Sequence, residues 1–227
     1  MKLAVFDLDG TLTRTNEVDT QCFVQAFADA LGIYELNTNW SEYEHVTDLG
    51  CLQQAFLTRF NRPITTSETL RFVDCFLDLL TKRQLHDSAS FQEIAGAGSM
   101  VARLRQDSGW AVAIATGCWQ RSARFKIEAA GIPAEDLPAA FADDGPSRES
   151  IVRTAIERAG AGFERIVSIG DADWDIRTAR RLGLPFIGVG GSSRAERLRR
   201  EGARHTIENF LDQNGLIQAL EEAAIPS

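Results

Sequence analysis

Two carboxylates, Asp7 and Asp9, stand two residues apart in Asp7-Leu8-Asp9-Gly10-Thr11-Leu12, directly after the apolar run Leu3-Ala4-Val5-Phe6. An apolar run of that length reads as a buried strand. The strand delivers the acidic pair to its end, and Gly10 lets the chain turn away at once. Neighbouring like charges repel, and burying them is costly unless something neutralises them. A divalent cation with oxygen ligands is the natural neutraliser, and Mg²⁺ takes few protein carboxylates and leaves room for a substrate phosphate. One hexapeptide therefore combines a candidate carboxylate nucleophile, a metal site and an acid/base.

Three further elements have types suited to the same chemistry. Thr116-Gly117-Cys118 follows the apolar run Trp110-Ala111-Val112-Ala113-Ile114-Ala115. A hydroxyl and exposed backbone N–H groups at a helix start form an anion site. Arg148 stands just before an expected helix over 150–159. Gly170-Asp171-Ala172-Asp173-Trp174-Asp175 follows the run Arg165-Ile166-Val167-Ser168-Ile169. Carboxylates for Mg²⁺, Thr116 and the Gly117 N–H for phosphate oxygens, and Arg148 for phosphoryl charge together describe phosphoryl transfer, in which positioning and electrostatics supply most of the catalysis. Each element has a plainer reading: a strand-end turn for Asp7 and Asp9, a helix cap for Thr116 or Asp171, a surface charge for Arg148. Their occurrence together and in this order favours the chemical reading. Asp173 reads as solvated or capping rather than as a ligand.

Such residues need a scaffold that brings strand ends together. Strand patterns at 3–8, 110–115, 137–141 (weaker), 165–169, 185–189 and 205–207 alternate with helical patterns at 99–106, 120–130, 150–159, 176–182 and 210–223. This alternation predicts a Rossmann-like α/β core, a parallel sheet covered by helices, with ligands outside the carboxyl ends of the strands. Residues 15–93 break the alternation. Helical spacing recurs over 17–31, 40–60 and 67–85, with Thr66 or Ser67 as the cap of the last. The expected organisation is a core of residues 1–14 and 94–227 with an inserted all-helical unit at 15–93.

Composition narrows the partners. The 227 residues are 44% hydrophobic and carry a net charge of −8. Twelve acidic and five basic residues fall in 15–93, so most of the excess lies there. The one dense basic cluster, Arg194, Arg197, Arg199 and Arg200, reads as a solvated helix face, which argues against nucleic acid. Cys22, Cys51, Cys75 and Cys118 have no paired spacing and read as reduced, core-filling residues. No apolar run approaches the ~18 residues of a membrane span. A cleaved leader would remove Asp7 and Asp9, so a cytoplasmic protein is expected.

The four ordered motifs resemble the haloacid dehalogenase superfamily of hydrolases, in particular its phosphoglycolate-phosphatase-like members with a helical cap of the C1 type inserted after the first strand. The resemblance implies that Asp7 is the nucleophile, forming an aspartyl-phosphate, and that Asp9 is the general acid/base. It implies Mg²⁺ held by Asp7, the backbone carbonyl of Asp9, and Asp171. Asp175 would ligate the metal or anchor the basic residue, and Thr116 and Arg148 would bind phosphate. The basic residue is more often Lys in a Lys-Pro context, whereas here it is Arg148 after Gly145-Pro146-Ser147. Arg keeps the charge and adds a bidentate grip. Arg14 stands where capped relatives often carry an acid, and with His45 it is a candidate substrate contact. Trp40, Arg59, Arg62 and Lys82 are weaker candidates, with Trp40 and Trp119 read chiefly as packing residues.

The leading expectation is a Mg²⁺-dependent phosphatase for a small phosphorylated metabolite, monomeric or homodimeric. The acidic insertion argues against a polyanionic substrate. Dehalogenases of this fold lack the second carboxylate, so Asp9 counts against them. Phosphonate-cleaving members use a cap lysine, and Lys82 is the only one in 15–93. The β-phosphoglucomutase-like members carry a cap histidine where this chain has Asp19, which disfavours a mutase. A non-catalytic phosphometabolite-binding protein is the alternative outside enzymes.

Overall fold

The computed structural model describes residues 1–106 and 109–227. Its sheet is built from β1 (Lys2–Phe6), β2 (Trp110–Ala115), β3 (Ala139–Ala140), β4 (Arg165–Gly170), β5 (Phe186–Val189) and β6 (His205–Ile207). The strands lie in the order β3-β2-β1-β4-β5-β6, and every described pairing is parallel. Alternate residues of β1 feed opposite faces. Ala4 and Phe6 join the layer of α4 (Ala97–Gln106), α5 (Gln120–Ala129) and α9 (Gln213–Glu222), while Leu3 and Val5 meet α6 (Arg148–Ala159). Helices α7 (Asp173–Leu182) and α8 (Ser192–Arg200) complete the α/β core.

Between β1 and α4 the described residues form helix and loop only, apart from single bridges of Thr13 to Asp9 and Glu93. Here α1 (Asn16–Leu31), α2 (Asp48–Phe60) and α3 (Thr66–His86) pack around their own aromatic core. Phe23, Phe27 and Phe72 meet edge to face with centroids 4.8–5.3 Å apart, a favoured ring geometry. Trp119, from the loop after β2, also packs into this core and joins the two regions. No helix among the described residues is long and apolar enough to cross a membrane.

Several boundaries differ from the sequence reading because side chains set them. The helix expected over 40–60 begins at Asp48, where the Thr47 hydroxyl caps the Gly50 N–H; residues 40–42 form a separate 3₁₀ turn. Thr65, not Thr66 or Ser67, caps α3, because only Thr65 has an acid three residues on: Glu68 returns a hydrogen bond to its N–H. Strand β3 shrinks to two residues, since Pro138 before it has no N–H for the ladder. Asp212 delays α9 to Gln213, and Phe210 packs on Phe6 instead. Ser147 starts α6 at Arg148, two residues early. The turn expected near Gly109 includes residues 107 and 108, which lie outside the described residues.

Candidate active site

Parallel register aligns the carboxyl ends of the three central strands. Phe6 pairs with Ile114 of β2 and with Ile169 of β4. The next residues on each strand are Asp7, Ala115-Thr116 and Gly170-Asp171, so these side chains emerge at one level. The Asp7 N–H still donates to the Ile169 carbonyl at 2.9 Å, and the ladder holds Asp7 in place. Gly10 then turns the chain at φ +78°, and a side chain there would strike Asp171 Oδ2 and Asn16 Nδ2.

One cluster comprises Asp7, Asp171 and Asp175, whose ligand oxygens all lie within 4.8 Å of one another. All three residues are buried. Arg148 Nη1 donates to Asp7 Oδ1 at 3.1 Å and to Asp175 Oδ1 at 2.8 Å. Asp175 Oδ2 also accepts the Ala172 N–H at the start of α7. Asp171 Oδ2 accepts from Asn16 Nδ2 at 2.9 Å and pairs with Arg194 Nη1 at 2.7 Å. Burial and the charge of Asp175 push the Asp7 carboxyl up to about 7 against the pull of Arg148. Burial and the charge of Asp7 push Asp171 to about 7 as well, and burial pushes Asp175 to about 6. Two guanidiniums therefore leave the cluster short of positive charge. An all-oxygen, buried, under-neutralised set suits a hard divalent cation.

The Asp9 side chain turns to a second cluster. Its Oδ2 accepts from Lys126 Nζ at 2.7 Å and from Cys118 Sγ at 2.7 Å, and its Oδ1 accepts from the Thr15 hydroxyl. Lys126 also donates to Asp19 Oδ1 at 2.6 Å. Burial alone would raise Asp9, but the Lys126 ammonium and these hydrogen bonds hold it below the usual carboxylate range. Lys126 stays protonated because the charges of Asp19 and Asp9 outweigh its desolvation. Asp48, at the start of α2, accepts the Trp119 N–H at 3.0 Å, and burial pushes its carboxyl well up.

A cavity of about 260 Å³ opens over both clusters. Asp7, Asp9 and Asp171 face it from the strand ends, Arg148 from the start of α6, and Asp19, Thr20, Phe23, Trp40 and Asp48 from residues 15–93. The two sides are tied beside it: Asp48 N donates to the Gly117 carbonyl at 2.7 Å, and Arg148 Nε to the Val46 carbonyl at 2.8 Å. A side chain at Gly117 would crowd Arg148 Nη2 and the Val46 carbonyl, so glycine permits this close approach.

The expected residues Asp7, Asp9, Gly117, Arg148 and Asp171 thus meet at this cavity, with Thr116 and Asp175 bordering a narrow cleft just behind Asp7. Thr116 is buried, and its hydroxyl accepts the Cys118 N–H at 3.2 Å. Arg14 and His45 do not reach the cavity. Arg14 faces a separate depression with Ile94 and Glu208, its N–H bonded to the Gln92 carbonyl at 2.9 Å. His45 precedes α2 and lines a polar groove beside Glu149 and Arg181. Lys82 faces a groove between α1 and α3, and Arg62 pairs with Glu68 on the surface. Arg194 and Arg197 are not merely a solvated helix face: both line the cavity, paired with Asp171 and with Asp173 at 3.0 Å. Cys118 is core-filling, yet its thiol touches Asp9. Sequence reasoning missed Lys126, whose signal was a lone cation on the apolar stripe Ser122-Ala123-Lys126-Ile127 of α5.

A family model described as haloacid dehalogenase-like hydrolase matches residues 1–183. No curated protein sequence matches this chain. Among solved structures, a hydrolase from Pseudomonas syringae superposes with TM-score 0.74 at 23% identity, covering 99% of this chain and 100% of that one. The β-phosphoglucomutase of Clostridium difficile gives TM-score 0.72 at 15% identity, covering 98% of each chain. CbbY from Rhodobacter sphaeroides, in complex with xylulose-(1,5)bisphosphate, gives 0.62 at 18%, covering 93% of this chain and 96% of that one. At these identities the likeness is one of fold. The family match extends over most of the chain, which belongs to the haloacid dehalogenase-like hydrolases.

Proposed function

We propose that this haloacid dehalogenase-like hydrolase is a cytoplasmic, Mg²⁺-dependent phosphatase of a small phosphorylated metabolite, with residues 15–93 as a cap over a core of 1–14 and 94–227. The observation that carries the reading is Arg148 spanning Asp7 and Asp175, with Asp171 beside them, at the mouth of a parallel sheet. Asp7, Asp171 and Asp175, with the backbone carbonyl of Asp9, would hold the cation. When bound, it offsets their charge and polarises the phosphoryl oxygens.

An Asp7 oxygen attacks phosphorus from below. The bond from phosphorus to the leaving oxygen breaks, its electron pair stays on that oxygen, and Asp9 supplies the proton. The negative charge of the arriving phosphate raises Asp9 towards its protonated form. Water then attacks the aspartyl-phosphate and gives its proton to Asp9. The bond from phosphorus to Asp7 breaks, and inorganic phosphate leaves. Arg148, the Thr116 hydroxyl and the Gly117 N–H hold the non-reacting oxygens throughout. Asp19, engaged with Lys126 where the mutase-like members carry a histidine, supports hydrolysis over phosphosugar isomerisation. Four unpaired cysteines support a reducing compartment.

Purified protein with Mg²⁺ is screened against phosphorylated metabolites by phosphate release, with Asp7→Asn as the blank. Turnover of one compound or a related group, absent in the blank, is expected. Release from none of them, or equal release by the blank, overturns the reading.

A further inference from the structure

Lys126 has a side-chain exposure of 0%, a rare state for a lysine. It has three ammonium hydrogens and three acceptors: Asp9 Oδ2 at 2.7 Å, Asp19 Oδ1 at 2.6 Å and Cys118 Sγ at 3.1 Å. Its backbone lies on α5, anchored in the core by the buried Ala123 and Ile127. Asp9 sits on the turn after β1, and Asp19 on the first turns of α1 in the cap. One ammonium thus joins three separate pieces of the molecule. With the Thr15 hydroxyl on Oδ1, it leaves neither Asp9 oxygen free to rotate.

A buried ion pair of this kind is poor evidence of a stability device, since apolar side chains of similar volume often serve as well or better. An apolar residue would fill the space but leave only the Thr15 hydroxyl and the Cys118 thiol to direct Asp9. The hydrogen bonds add orientation, and a proton donor is sensitive to orientation because transfer requires hydrogen-bond distance to the leaving oxygen.

We propose that Lys126 is a positioning residue for Asp9, aiming the acid/base at the leaving oxygen and linking its aim, through Asp19, to a seated cap. The inference rests on the phosphatase reading. It assigns Lys126 to the step in which the bond from phosphorus to the leaving oxygen breaks and that oxygen takes the Asp9 proton.

The test compares two substrates with Lys126→Met. Nitrophenolate leaves p-nitrophenyl phosphate without needing a proton, whereas the alkoxide of glycerol 3-phosphate needs one. The quantity read is kcat/KM, which reports steps through departure of the leaving group. The expected loss is about 100-fold on glycerol 3-phosphate and less than about 5-fold on p-nitrophenyl phosphate, with Asp9→Asn showing the same selectivity. A merely structural role lowers both together. A selective loss smaller than about tenfold, or no loss, overturns the proposal. A circular-dichroism melt checks the fold. Should Lys126→Met not fold, the double variant Lys126→Gln/Asp19→Asn, which removes one of the two uncompensated carboxylates, is judged by the same ratio. Where glycerol 3-phosphate is not turned over, the alkyl phosphate that the metabolite screen identifies takes its place, and wild-type protein that releases phosphate from no compound of that screen overturns the phosphatase reading and this role with it. Wild-type turnover with an unselective loss in the variant overturns the role alone.

Discussion

Two carboxylate clusters lie side by side at the strand ends and are neutralised in different ways. Asp7, Asp171 and Asp175 meet two guanidiniums, and burial still pushes two of the three carboxyls to about 7. Asp9 and Asp19 share an ammonium placed between them, and Asp9 is held low. Arg148 bridges Asp7 and Asp175 through one nitrogen and also reaches the Val46 carbonyl, while Asp171 is held by Arg194 instead. A compact ammonium occupies the position that an ion would take. The same residue type therefore suits the proposed cation site in one cluster and the proposed proton carrier in the other, according to which counter-charge the tertiary structure brings.

The largest effect is expected at Asp7, the proposed nucleophile. Asp7→Asn is expected to lose at least about 10⁴-fold in phosphate release while keeping its melt and circular dichroism. A variant within tenfold of wild type would remove Asp7 from the chemistry. Chelation should silence the first cluster alone: activity disappears with EDTA and returns with Mg²⁺. At about 100 times its Kd, Mg²⁺ contributes about 2.7 kcal/mol, a rise of roughly 5–10 °C in Tm for a domain of this size.

The pH dependence is shared by the clusters, since burial also pushes the Asp19 carboxyl up to about 6. Asp7 and Asp171 have folded pKa values near 7, above their ordinary 3.8. The folded state therefore binds more protons than the unfolded state across that window, and stability falls as pH rises through it. Metal-free protein should melt lower at pH 7 than at pH 5, and Mg²⁺, which prefers the ionised carboxylates, should flatten the slope. A slope of the opposite sign would mean that the cluster is already compensated.

Smaller effects refine the picture. Arg148→Lys keeps the charge but loses the fork that reaches Asp7, Asp175 and the Val46 carbonyl together. KM should rise about tenfold with a lesser change in kcat, as a cap contact is lost alongside a phosphate grip. Arg14→Ala and His45→Ala should each change kcat/KM less than twofold, within about 0.4 kcal/mol, because neither side chain faces the cavity. A larger loss in either would place substrate outside the cavity described.

Legibility in the sequence followed the range of the forces involved. Strand β2 matched its expected limits because a six-residue apolar run between turns has few alternatives. The start of α2 did not, since the apolar pattern began at Trp40 while the Thr47 hydroxyl decided where the helix begins. Asp7 and Asp171 were legible because their strands end beside them. Asp19 and Asp48 were not, since nothing along the chain says that α1 and α2 lean over the sheet.

Legible along the chain were the alternation that makes a parallel sheet, the helical stretch after its first strand, and the acidic pair and the Thr116-Gly117 turn at the strand ends. These are local consequences of hydrophobic period, glycine and proton-binding side chains. Which cation meets which carboxylate emerged only on folding. Arg148 reaches Asp7 across 141 positions and Lys126 reaches Asp9 across 117. Charge compensation in a buried site depends on distance and desolvation in space, and chain order encodes neither.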